Sequence, residues 1–146
     1  MAFTEQWLAD YQARMAGLKD ARPLPDVIHF TIPMKLILPN RLNGKSWGPF
    51  YGQRKRLKTL LDAEIGRWSG HAPMERARVT VTRFGSGREP DPDNLNASIK
   101  PLLDMLLVKR FGLIRDDASK HMVPIAAFVR VAHKPQERTE VLIERL

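Results

Sequence analysis

Apolar residues recur along this chain with two different periods, and the two divide it into elements. Over residues 76–84 the period is two. Ala77, Val79 and Val81 share one face, and Arg76, Arg78, Thr80 and Thr82 share the other. Such alternation predicts a half-buried strand. Residues 27–38 are rich in β-formers, and Pro33 must break that run or mark an edge. Residues 125–133 and 139–145 predict two more strands, with residues 134–138 joining them as a hairpin. Elsewhere the period is helical. Trp7, Leu8, Tyr11, Met15 and Leu18 predict a helix over residues 4–19, with Thr4 as its cap. Leu57, Leu60, Leu61, Ile65 and Trp68 form the apolar stripe of a second helix over 53–68. Leu95, Ile99, Leu102, Leu103, Leu106 and Leu107 mark a third over 94–108, kinked at Pro101, with Gly112 suited to its C-terminal cap. Residues 21–26, with Pro23 and Pro25, read as a stiff linker. The elements divide the chain into an N-terminal helical arm and linker, 1–26, and a main domain, 27–146.

Composition narrows the class. A length of 146 residues favours one domain, and 43% apolar residues suit a globular core. Cysteine is absent, which rules out disulfides and Cys-based zinc sites and fits a cytoplasmic location. The first residues lack the basic start and apolar run of a signal peptide, and no stretch approaches the ~20 apolar residues of a membrane span. A net charge of +8, from 24 basic against 16 acidic residues, favours a polyanionic partner. No basic amphipathic helix with a bulky apolar face speaks for a membrane surface.

Against that basic background one acidic cluster stands out: Glu89-Pro-Asp-Pro-Asp-Asn94, followed later by Asp116-Asp117. Pro90 and Pro92 disfavour helix before Asp93 and bias Glu89 and Asp91 toward extended backbone. Residues two apart in an extended segment point the same way, so Asp91 and Asp93 are expected to present their carboxylates to one side. Asp93 is the expected N-cap of a helix opening at Asn94. Two carboxylates held together repel unless a cation neutralises them, and two or three carboxylates with water suit Mg²⁺ or Mn²⁺. Asp-Pro-Asp-Asn is also an ordinary turn sequence. The later Asp117, with Asp116 beside it, tips the reading toward a metal site of Asp91, Asp93 and Asp117. An EF-hand is excluded because Leu95 and Asn96 stand where Asp and Gly belong. There is no Gly-rich phosphate loop, no H-E-x-x-H and no G-x-S-x-G. Lys100 shares a helical face with Asp93, Ala97 and Asp104. It either looks back toward the carboxylates or pairs with Asp104.

Basic and aromatic residues interleave just before the second helix. Residues 39–52 read as a loop that carries Arg41, Lys45, Trp47, Phe50 and Tyr51. Such a mixture grips phosphates and stacks on unpaired bases, unless the aromatics plug the core below. Arg54, Lys55, Arg56 and Lys58 crowd the first turns of the second helix, where cations oppose the macrodipole. They serve either as phosphate contacts or as a solvated face. His29 reads as a strand-face residue rather than a ligand. His121, four residues past Asp117, reads as a surface residue, with proton relay as the alternative.

Asp91-Pro-Asp-Asn-Leu95, Lys100-Pro-Leu-Leu-Asp104 and Gly112-Leu-Ile-Arg-Asp-Asp117 together resemble the RusA family of Holliday junction resolvases, common in prophages. The loop at Pro39-Asn-Arg-Leu42 and the basic helix after it are similar too, so the likeness covers about residues 27–146. The resemblance implies a small α+β fold, a mixed β-sheet packed with two to three helices, and a homodimer. It implies Mg²⁺-dependent endonuclease activity that resolves four-way DNA junctions by paired nicks, in recombination and repair. By position the metal ligands would be Asp91, Asp93 and Asp117, with Asp116 and Asn94 beside them and Lys100 as the essential lysine. The family's lysine stands about one helical turn after the second Asp, whereas Lys100 is seven residues on, which adds roughly one turn. Three other readings stay open: a DNA-junction-binding protein without catalysis, a less selective flap or fork nuclease, and an enzyme of metal–nucleotide complexes.

Overall fold

Four strands make one mixed sheet in the order β1-β4-β2-β3: β1 Val27–Ile32, β2 Ala77–Gly85, β3 Met122–Arg130 and β4 Arg138–Arg145. The computed structural model from which this is read describes residues 5, 9, 22–39, 48–106, 111–116 and 118–146, with residues 48–51 described through their backbone. β4 runs antiparallel to both β1 and β2, while β2 and β3 run parallel. Three helices complete the described chain: α1 Gly48–Ile65, α2 Pro92–Ser98 and α3 Lys100–Leu106. α1 packs on β1 and on α3, and α2 packs on β3 and on α3. Together these elements form a single small α+β domain, the class expected above.

Period-two patterning decides which face is covered. Ile28, Phe30 and Ile32 of β1, Ala77, Val79 and Val81 of β2, and Val141 and Ile143 of β4 are all buried in one cluster. Leu57, Leu61 and Ile65 of α1, with Leu102, Leu103, Met105 and Leu106 of α3, close over them. Burying such side chains is the main favourable term in folding, at about 25 cal/mol per Å² of apolar surface. Leu24 also joins this core, and Arg22 accepts a backbone hydrogen bond from Ala72. The expected linker is therefore docked onto the domain.

Several expectations change. The connection between β3 and β4 is not a hairpin. β2 lies between those strands, so residues 131–137 cross over its end. The reason is burial. β4 alternates buried and half-buried residues as a central strand does, and pairing with both β1 and β2 leaves neither of its edges open. β3 spans Met122–Arg130 rather than 125–133. α1 begins at Gly48, earlier than Gln53, and its last turn tightens into a 3₁₀ segment, Gly66–Trp68. The expected single helix over 94–108 is two short helices divided at Ile99, just before Pro101. Proline lacks the N–H and crowds the preceding turn, so the chain breaks there rather than bending. Of the expected N-terminal helix, Glu5 and Ala9 are described and both are helical; the rest lies outside the described residues.

Candidate functional site

The site begins where β2 ends. After Gly85 the chain leaves the sheet, and one carboxylate pins its first step. Glu137 Oε2 accepts from the Ser86 amide at 2.8 Å and from the Ser86 hydroxyl at 2.9 Å, and it pairs with Lys35 Nζ at 2.9 Å. The Ser86 amide first, and the Lys35 ammonium next, hold this carboxyl well below the usual range, at about 2. Gly85 passes close to the Phe128 side chain. A Cβ there would sit 3.2 Å from the Phe128 ring.

From Ser86 the chain passes through exposed Gly87, Arg88 and Glu89 to the acidic motif. Here the expected geometry is corrected. The N-cap is Asp91, not Asp93: Asp91 Oδ1 accepts from the Asn94 amide at 2.9 Å, and Leu95 N donates to Asp91 O at 3.0 Å. Pro92 occupies the first helical position, where its fixed φ suits a helix and its missing N–H costs nothing. Asp93 is therefore helical rather than extended. Asp91 and Asp93 flank a helix start, and both side chains are exposed to solvent. Asn94 is buried beneath them. Lys100 opens α3 and is exposed, and among the described residues no ion pair joins it to Asp104.

The second acidic segment returns at the other end of β2. Leu113 and Ile114 are fully buried, and Ile114 bridges in parallel to Met74, three residues before β2 begins. Met74 N donates to Leu113 O at 2.8 Å, and Arg115 N to Met74 O at 3.1 Å. Arg115 pairs with Glu75, and exposed Asp116 follows. Asp91 and Asp93 thus follow the end of β2, while Asp116 lies near its beginning. Asp117 lies outside the described residues. Among the described residues no three acidic, His or Cys side chains gather as a metal site. The pair Asp91 and Asp93 offers the hard oxygen donors that Mg²⁺ or Mn²⁺ prefers, from two carboxylates only two residues apart. His121 is structural, its Nδ1 lying 2.7 Å from the Glu75 carbonyl oxygen.

The basic helix connects to the same end of β2. Residues 33–39 run from β1 along the ends of β4 and β2. Thr139 Oγ1 donates to Met34 O at 2.7 Å, Arg83 donates to Leu36 O, and Ile37 N donates to Gln53 Oε1 of α1. Gln53 is 4% exposed. Along this strap the start of α1 is tied through Ile37 and Lys35 to Glu137 and Ser86. Arg54, Lys55, Arg56 and Lys58 are all exposed just past that anchor, while Leu57 and Leu61 point into the core. Arg41, Lys45 and Trp47 lie outside the described residues, and Phe50 and Tyr51 are described through their backbone alone. Composition alone did not single out Lys35, Ser86, Gln53 or Glu137, because their importance comes from partners far apart in sequence.

No protein-family model matches the chain, and no curated protein matches it. No helix among the described residues is long and apolar enough to cross a membrane.

Proposed function

We propose that this protein is a Mg²⁺-dependent, structure-selective endodeoxyribonuclease that resolves four-way DNA junctions by paired nicks, as a homodimer acting in recombination and repair. One observation supports this most: two exposed carboxylates at the start of α2 and the exposed basic turns of α1 are anchored, through Glu137 and residues 33–39, to the same end of β2. The resemblance of the acidic and lysine motifs to the RusA family points the same way. In this reading Asp91 and Asp93 would hold the cation; Asp117, which the resemblance makes the third carboxylate, is left out of the set, because its neighbour Asp116 lies near the other end of β2. A Mg²⁺ held by these carboxylates would supply an activated water and offset charge on the phosphorane-like transition state. Asp91 keeps one oxygen on the Asn94 amide, which fixes its rotamer and turns the rest of the carboxylate outward. Lys100 holds the scissile phosphate or the leaving oxygen. Arg54, Lys55, Arg56 and Lys58 hold the DNA arms, so binding weakens steeply with salt.

The test is cleavage of a four-way junction, a flap and a plain duplex, each with Mg²⁺ and with chelator. Paired nicks in the junction alone, dependent on the metal, support the reading. Equal cutting of flaps makes the protein a broader nuclease. Tight junction binding without any cutting makes it a binding protein. Cleavage that is unaffected by chelator overturns the metal role.

A further inference from the structure

The outer edge of the sheet carries a pattern that matches itself. β3 pairs only with β2 among the described strands, so one side of its backbone is open. Its hydrogen-bond phase is fixed at both ends. Ala77 N donates to His121 O, and Val131 N donates to Gly85 O. In a parallel ladder a residue directs its N–H and C=O to the same neighbour, and the direction alternates along the strand. Odd-numbered residues of β3 therefore bond to β2, and even-numbered ones face the open edge. Two details agree. Met122 N turns outward to donate to Ala118 O at 3.0 Å. Pro124, which has no N–H, sits at an outward position, where a proline costs the sheet nothing. What remains unpaired by the sheet is the run Ala126, Phe128 and Arg130.

We propose that this run is a dimer seam: two copies of the chain pair antiparallel through residues 126–130, about a two-fold axis at Phe128, into a continuous eight-stranded sheet. A two-fold contact presents the same patch twice, so it demands self-complementarity, and this register supplies it on both faces. On the face away from the helices, Ile125 meets the partner's Val131 and Ala127 meets the partner's Val129. Ile125 and Val129 are 39% and 42% exposed, among the few large apolar side chains of the described residues left open to solvent. On the helical face Phe128 meets the partner's Phe128, an aromatic cross-strand pair of the kind that stabilises sheets. Arg130 lies opposite the partner's Ala126. That alanine lines a groove of about 370 Å³ together with Glu89, Pro90, Pro92, Leu95, Asn96 and Phe128. The Arg130 guanidinium thus arrives at the groove holding the partner's Glu89 carboxylate, opposite charge to opposite charge. Pro124 limits the seam by removing the next outward donor, which guards the rest of the edge against open-ended pairing.

Such a two-fold runs perpendicular to the sheet, so both protomers keep their helices on one side. If the nuclease reading is right, both sets of Asp91 and Asp93 then face one DNA substrate. The seam itself rests on strand chemistry and is tested without any activity.

Sedimentation velocity measures the assembly of the whole chain. Wild type is expected to be a dimer, and Val129→Lys, which sets an ammonium against the partner's Ala127, is expected to be monomeric with an unchanged circular dichroism spectrum. Ala126→Pro is the second variant. It removes only an outward N–H and is expected to be monomeric as well. In the cysteine-free background, Ala127→Cys with Val129→Cys creates two pairs about 4.5 Å apart at Cα, within disulfide reach. Mild oxidation is expected to give a covalent dimer, whereas Val27→Cys on the β1 edge gives none. A monomeric wild type overturns the seam. So does a dimer that survives both Val129→Lys and Ala126→Pro, or cross-linking through Val27 instead. Junction nicking by a dimer that survives both Val129→Lys and Ala126→Pro would overturn the seam and leave the nuclease reading standing; a wild-type dimer that both variants dissociate but that never nicks would do the reverse.

Discussion

The two ends of β2 are built in opposite ways. At its beginning Met74, Ala77, Leu113, Ile114 and Met122 are all nearly or fully buried, and the returning chain adds a parallel bridge. At its finish the chain runs out into solvent. Ser86 is pinned by Glu137, and then Arg88, Glu89, Asp91 and, in the first turn of α2, Asp93 are exposed. One end is held by packing, the other by a few polar contacts. The lesson is a division of labour. Damage to the packed end should lower stability, and damage to the polar end should change chemistry or local order while the fold survives.

The largest expected stability effect lies at the packed end. Met74→Ala removes a fully buried side chain and should cost about 2–5 kcal/mol, measured by denaturant unfolding. A loss below 1 kcal/mol, under the usual range for such truncations, would show that this end is not packed as described. At the polar end, replacing Arg54, Lys55, Arg56 and Lys58 by Gln should leave the melting temperature nearly unchanged. It should flatten the dependence of junction affinity on salt, by about 0.9 in log–log slope for each phosphate that is no longer neutralised. An unaltered slope would remove α1 from the DNA interface. Asp91→Ala should cost about 1 kcal/mol through loss of the helix cap, whereas Asp91→Asn should keep the cap and lose only the charge. Equal destabilisation by the two would contradict the capping role.

The smallest effect is a pH dependence at Glu137. Its carboxyl is lowered from 4.5 to about 2 in the folded chain, so the folded state prefers the charged form. The stability this confers is present above the unfolded value and is lost as pH falls from about 4.5 toward 2. Melting temperature should therefore fall more steeply across that window in wild type than in Glu137→Gln. Parallel curves for the two proteins would remove Glu137 as the clamp on Ser86.

Much of the fold was legible because its cause is local. Alternation in Ala77, Val79 and Val81 and helical spacing in Leu57, Leu61 and Ile65 both follow from which face is buried. The errors arose where the cause is not local. Strand order placed β2 between β3 and β4, and no pattern within residues 131–138 announces that. The acidic motif was found by its residue types, but its geometry turned on which role Pro92 plays. Read as a barrier to helix it makes Asp93 the cap, and read as a first helical residue it makes Asp91 the cap, as observed. Glu137 was invisible to sequence reasoning, since its three donors come from residues 35 and 86. Leu24 looked like part of a linker until the core closed around it.

The most direct test of the nuclease reading is four-way junction cleavage by Asp93→Asn in Mg²⁺, with binding followed in parallel. The cap of α2 is Asp91, and among the described residues Asp93 makes no capping bond, so the change should spare the fold and the affinity while lowering nicking by about 10²–10³-fold, the scale of losing one preorganised electrostatic contact. Nicking near the wild-type rate would contradict it.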